Sequence, residues 1–305
     1  MNGRAPTDEP RDEFYTRMED IEYELKNYKE HFRGQRIYCP CDDARWSNFW
    51  WYFFCNFDHL GLKSLDATCF HKDQSGEHWH YEGGCPNDIT REAVYQKNRA
   101  LVFPYCGYEV LNNDGGFQYQ TELIKNIDIV VTNPPFSLFR DFVTFVLSNG
   151  KKIVTIGNMN LATKKTIFPL FKENKLWFGI NPVKEFLKPD GETQKFGNIN
   201  WYTNLDLKKN HRITEYYSTQ EYLKLPMYDN YDAINVDKMK FVPCDWTGWM
   251  GVPITFLLDY CPKQFEIKEV LSTGKVNGKN IYDRVVIRWK PEAMPTINEK
   301  GVVIY

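Results

Sequence analysis

The run Ile127-Asp-Ile-Val-Val-Thr132 restricts the fold more than any other feature of the chain. A strand with one wet face alternates apolar and polar residues, whereas one apolar at successive positions is covered on both faces. Lys152 to Gly157 reads the same way, and Phe139 to Leu147 between them reads as a helix. Strand, helix and strand at this spacing predict a parallel pairing with a helical crossover.

Other segments extend the pattern. Asp20 to Phe32 places Ile21, Leu25, Tyr28 and Phe32 at helical steps. Ile37 to Cys41 and Leu62 to Phe70 read as strands, with Tyr105 to Leu111 as a third candidate. Trp46 to Leu60, closed by Gly61, reads as a helix apolar on nearly every side and therefore buried. His71 to Arg99 is polar and reads as a loop. The fold class expected is α/β: a Rossmann-like sheet, mostly parallel, flanked by helices. From about residue 200 helical periodicity weakens, and Val276 to Trp289 resembles a hairpin turning at Asn277-Gly278. The domains expected are residues 1–205 and a smaller C-terminal region, residues 206–305.

Composition narrows the function classes. Of 305 residues 42% are hydrophobic, enough for a core, and the 16% aromatic share suits both dense packing and base stacking. A net charge of −2 argues against a binder held only by phosphate attraction. Basic residues do cluster, at Lys151-Lys152, Lys164-Lys165, Lys172 with Lys175, and Lys208-Lys209 with Arg212. They are candidate phosphate contacts or simply solvated faces. Neither a signal-peptide core nor an apolar run near 20 residues is present, so a cytoplasmic protein without a membrane partner is expected.

Asn133-Pro-Pro-Phe136 follows the Ile127 to Thr132 strand directly, where open α/β sheets bind ligands. An adenine-type amine is a poor nucleophile because its lone pair is delocalised into the ring. Two acceptors on its two protons favour a pyramidal nitrogen and localise that pair. The Asn133 side-chain oxygen and the Pro134 carbonyl can supply them. Pro134 and Pro135 stiffen the backbone and remove two competing donors. Phe136 offers a face on which an extruded base can stack. As a bare tripeptide, Asn-Pro-Pro is equally a tight turn.

The segment Asp128 to Arg140 resembles the catalytic motif of adenine-specific DNA methyltransferases of the EcoRI type. Asp12-Glu-Phe-Tyr-Thr16, Tyr38 to Asp43 with Ser47-Asn-Phe49, Tyr228 to Asn235, Gly251 to Leu257 and Asn277 to Arg288 resemble further motifs of that family, in the same order. The resemblance implies methyl transfer from S-adenosylmethionine to the N6 amine of adenine in double-stranded DNA, by base flipping. It also implies that Phe14, Tyr15 and Thr16 line the methionine end of the cofactor, and that Asp114 meets the cofactor's adenine amine. Asp114 is equally a turn former before Gly115-Gly116. Asp42 and Asp43 are placed to bind the donor's α-amino group or to cap the following helix. Cys41-Asp-Asp-Ala-Arg45 stands where the glycine-rich turn of methyltransferases is usual, with Cys41 at its head. No carboxylate closes the second strand to hold the ribose; Asp73 is the nearest.

Cys69, His71, His78, His80 and Cys85 form a Cys/His-rich patch, but without paired CxxC spacing, so no metal is expected. The same motif serves enzymes acting on RNA bases or a protein glutamine, and an inactive DNA-binding relative would keep the fold. The expected enzyme is a monomer with no obligatory protein partner, possessing at most a cognate restriction endonuclease that acts on the same site.

Overall fold

The computed structural model describes residues 14–188, 192–298 and 302–304. Two compact units emerge. One takes the chain up to Gly157 together with Asn181–Trp201; the other takes Asn158–Ile180 and the chain from Tyr202 onward.

Strands β1 (Tyr15–Thr16), β2 (Arg36–Pro40), β3 (Ser64–Cys69), β4 (Glu77–Tyr81), β5 (Gly107–Val110), β6 (Ile129–Thr132), β7 (Lys152–Asn158), β8 (Trp177–Leu187) and β9 (Thr193–Thr203) share one sheet. Their order is β1-β8-β9-β7-β6-β2-β3-β4-β5. β2 pairs in parallel with β3 and β6, and β6 in parallel with β7. Ile37, Val130, Val131, Ile153 and Val154 are all fully buried there, as their unbroken apolar runs require.

The sheet is mixed rather than mostly parallel. β4 runs antiparallel to both β3 and β5, and β1 runs antiparallel to β8. Residues 70–76 join β3 to β4, and so short a link cannot make a parallel crossover, which takes about a dozen residues or more. The segment expected as a loop, His71 to Arg99, thus holds β4 and the helix Asn87–Tyr95. Its polar–aromatic alternation hid the strand, and the helix buries only Ala93 fully. β8 and β9 also escaped detection, because Asn181, Pro182, Lys184 and Glu185 interrupt any apolar rhythm.

The aromatic helix forms as Asn48–Cys55, followed by Phe57–Leu60. Ser47 caps the first by accepting from the Phe49 and Trp50 amides. Gly61, at φ 63°, closes the second in the left-handed conformation.

In the second unit β10 (Ile234–Asn235), β11 (Met250–Val252), β12 (Phe265–Leu271), β13 (Lys275–Val276), β14 (Lys279–Asn280) and β15 (Arg284–Trp289) follow in sequence. A four-stranded sheet has the order β10-β11-β15-β12. β13 and β14 form the expected hairpin, turning at Asn277 (φ 51°) and Gly278 (φ 75°), but it is only two residues deep. The chain then leaves it, and β15 pairs with β12 and β11 instead. No helix among the described residues is long and apolar enough to cross a membrane.

Candidate active site

Asn133 follows β6 at the carboxyl end of the parallel strands, where each strand hands its backbone to a loop. Its side-chain Nδ2 donates to the Phe14 carbonyl at 2.7 Å. Its Oδ1 is buried and has no hydrogen-bond partner among the described residues. The amide orientation is fixed by chemistry: the reversed amide would set two acceptors against each other at that distance. An unsatisfied buried acceptor costs about 1–3 kcal/mol.

Phe14 reaches this position because β1 joins the sheet edge, pairing Tyr15 with Leu187 and Thr16 with Phe186. Its ring stacks on Phe136 at 5.9 Å and meets Phe196 edge-on at 4.9 Å. Phe186 and Phe196, from the two strands the sequence did not reveal, complete a group of four rings. Phe136 lies 6.0 Å from the first and 5.9 Å from the second. Pro134 is buried, while Pro135 and Phe136 are half-buried. Thr16 is buried, its backbone carbonyl accepting from Asn48 Nδ2 at 2.8 Å and its own Oγ1 without a partner among the described residues. Tyr15 lies between them and is exposed. Asp12 and Glu13 of the same motif lie outside the described residues.

At the end of β2 the chain turns through Cys41, whose φ of 65° is the left-handed conformation that glycine adopts without cost. A cysteine therefore performs the turn for which the usual glycine is missing, and burial pushes its thiol up. Asp42 and Asp43, adjacent in sequence, have opposite surroundings. Asp43 is clamped by Arg45, whose Nε lies 2.8 Å from Oδ1 and whose guanidinium also reaches Glu77. Asp42 has no cation among the described residues. Its Oδ1 accepts from Ser47 Oγ at 2.6 Å, and its Oδ2 lies 2.6 Å from Thr132 Oγ1. Burial pushes its carboxyl up to about 7, although the two hydroxyls favour the charged form. Helix capping thus falls to Ser47 rather than to either aspartate, and Thr132 ties the Asp42 carboxyl to the residue preceding Asn133.

Asp114 sits in a turn against the end of β3. Its Oδ1 accepts from the Gly116 amide at 2.8 Å and its carbonyl from the His71 amide at 2.9 Å. Gly115 (φ 82°) allows this approach, since a Cβ there would lie 2.0 Å from the Cys69 carbonyl oxygen. A carboxylate from the neighbouring strand stands beside the end of β3. Glu77 pairs with Cys69 across β3 and β4 and accepts from Tyr108 at 2.9 Å.

Several of the clustered lysines donate to backbone carbonyls of the protein itself. Lys209 Nζ donates to the Gly179 and Leu258 carbonyls, Lys151 Nζ to those of Lys125 and Ile127, and Lys172 Nζ to that of Lys268. Lys152, Lys165, Lys208 and Arg212 are exposed. The Cys/His patch does not converge either, because Cys69 with His71 and His78 with His80 group separately, each beside its own carboxylate.

The family described as adenine-specific methyltransferase EcoRI matches residues 4–301. The chain belongs to that family. A Type II methyltransferase of Escherichia coli, M.EcoRI, is 40% identical over 92% of this chain and 93% of its own length. M.MpnI of Mycoplasma pneumoniae, also a Type II methyltransferase, is 35% identical over 90% of this chain and 94% of its own. A third, M.MgeORF184P of Mycoplasma genitalium, is 33% identical over 90% and 95%. No solved structure matches the chain. Membership of an adenine-specific family decides among the acceptors the motif alone left open: the planar amine is adenine's.

Proposed function

We propose that this enzyme methylates the N6 amine of an adenine flipped out of duplex DNA, using S-adenosylmethionine. The observation that carries this reading is the Asn133 amide: its nitrogen is committed to the Phe14 carbonyl, and its oxygen is buried and unpaired. That oxygen accepts one amine proton and the Pro134 carbonyl accepts the other. In a dry, preorganised site, losing one such acceptor costs on the order of 100- to 1,000-fold in rate. The extruded base takes a place against Phe136 within the four-ring group, and stacking offsets part of the few kcal/mol that flipping costs.

The residues present fit the methyl donor. Asp42 offers a buried carboxylate with no cation among the described residues, suited to an α-ammonium, and the Phe14 ring stands against Phe136 of the catalytic motif. When bound, S-adenosylmethionine supplies a sulfonium-activated methyl group, so no strong base is required of the protein. Glu77 and Asp114, together at the end of β3, are the carboxylates suited to its ribose and adenine. The fold that holds these groups is the Rossmann-like methyltransferase fold, its parallel centre being β7, β6, β2 and β3.

Target reading is assigned to residues 206–305, one candidate surface being the cation–aromatic group on the four-stranded sheet. There Arg288 lies 4.4 Å and Lys268 5.1 Å from the Trp249 ring, and Lys268 lies 5.0 Å from that of Tyr231. Cations beside aromatic faces suit phosphates and bases together. Incubation with duplex DNA and tritiated donor, followed by digestion to nucleosides, should return label as N6-methyldeoxyadenosine. Label recovered only in cytosine, RNA or protein would overturn the reading.

A further inference from the structure

A second cluster occupies the antiparallel edge of the nine-stranded sheet. Asp66 of β3 pairs with His80 of β4, Thr68 with His78, and His78 with Glu109 of β5. Side chains alternate across a strand, so Asp66, His78, His80 and Glu109 share one face. Asp66 Oδ1 lies 2.9 Å from His78 Nε2 and 2.7 Å from His80 Nδ1. Its Oδ2 accepts from Ser64 Oγ at 3.2 Å, which aims Oδ1 at the two rings. The remaining nitrogen of each ring also faces a carboxylate. His78 Nδ1 lies 2.6 Å from Glu109 Oε1, and His80 Nε2 lies 3.4 Å from Glu82 Oε1.

We propose that Asp66 Oδ1, His78 Nε2 and His80 Nδ1 bind a divalent ion of the zinc class, with water in the fourth position. Two imidazoles and one carboxylate form an established ligand set for such ions. Metal-bound histidines almost always present their other nitrogen to a carboxylate or carbonyl, as both do here. A tetrahedral ion with ligands at about 2.0 Å sets them roughly 3.3 Å apart. The ring nitrogens therefore need to part from Oδ1 by only about half an ångström. Charge favours the ion as well, since three carboxylates, Asp66, Glu82 and Glu109, surround two imidazoles. The Asp66 side chain is only 5% exposed, while His80 at 38% leaves a route of entry. The competing trio, Cys69, His71 and Glu77, is disfavoured because Glu77 is already engaged by Arg45 and Tyr108. The ion's role is to bind β4 to β3 near the antiparallel end of the sheet.

The test is a titration of chelator-treated, buffer-exchanged protein with Co²⁺, followed by visible absorption, and with Zn²⁺, followed by calorimetry. One equivalent should saturate the protein, with ligand-field bands and no near-ultraviolet thiolate band. His80→Gln, at a partly exposed position and checked for folding by circular dichroism, should weaken binding at least tenfold, and Glu109→Gln should weaken it several-fold. His71→Ala should leave binding unchanged. Zinc should raise the melting temperature of the parent protein but not of His80→Gln. The absence of saturable binding, a thiolate band, or undiminished binding by His80→Gln would each overturn the proposal.

Discussion

Asn133 and Phe14, 119 residues apart in the chain, are joined by a hydrogen bond from the Asn133 amide nitrogen to the Phe14 carbonyl, at 2.7 Å. The bond uses the only donor group of the side chain and leaves the oxygen facing outward from it. Asn133→Ala should therefore lower turnover by about 100- to 1,000-fold while changing donor affinity less than threefold. Asn133→Asp, which keeps the oxygen but sets a carboxylate against the Phe14 carbonyl, should be impaired comparably. Single-turnover rates with calorimetric donor binding check both, and a near-parental rate in either variant would remove the orientation argument.

Phe196 touches Phe14, Phe136 and Phe186 by edge-on contacts. If the flipped base rests in this group, Phe136→Ala should weaken productive DNA binding by roughly 5- to 150-fold, since base–aromatic stacking amounts to about 1–3 kcal/mol. Phe196→Ala should do less, because its rings mainly hold Phe136 in place. Fluorescence of 2-aminopurine at the target position reports the extruded base directly. An unchanged signal in Phe136→Ala would show that the ring does not stack on it.

Asp42 gives a pH dependence with a definite sign. Its carboxyl lies near 7 in the folded protein against 3.8 ordinarily, so the native state holds a proton that the unfolded state has lost. Its contribution to stability is fully present below about pH 4 and lost as pH rises through 7. Ligand binding runs the other way, because an α-ammonium pairs with the ionised form. Affinity for S-adenosylmethionine should fall about tenfold per pH unit below 7 and level off above it. Asp42→Asn should abolish that slope. Calorimetry between pH 5.5 and 8.5 measures it, and a flat parental profile would exclude Asp42 from the ammonium site.

Gly115→Ala should destabilise the protein by about 3 kcal/mol or more, because the new methyl meets the Cys69 carbonyl oxygen and the φ is left-handed. Urea unfolding measures the loss. Gly278→Ala lacks such a clash, with nothing within 4 Å of its Cβ, and should cost only about 1 kcal/mol for its left-handed φ.

The sequence by itself determined the parallel centre of the sheet, since largely apolar runs such as those of β6 and β7 must be covered on both faces and admit few arrangements, and it placed Asn133 to Phe136 at the end of one of them. It also yielded the buried aromatic helix and the Asn277-Gly278 turn, where local chemistry suffices. It did not yield β4, β8 or β9, whose stability comes from the neighbours they pair with rather than from their own periodicity. For the same reason it could not separate Asp42 from Asp43. Arg45 neutralises one, while Ser47 and Thr132 hold the other in a buried position with no cation among the described residues, and only the folded chain assigns those partners. Phe186, Phe196, Glu77 and the Asp66–His78–His80 face belong to this second kind. Each becomes chemically meaningful through groups that pairing across the sheet brings within a few ångströms, a relation that spacing along the chain does not encode.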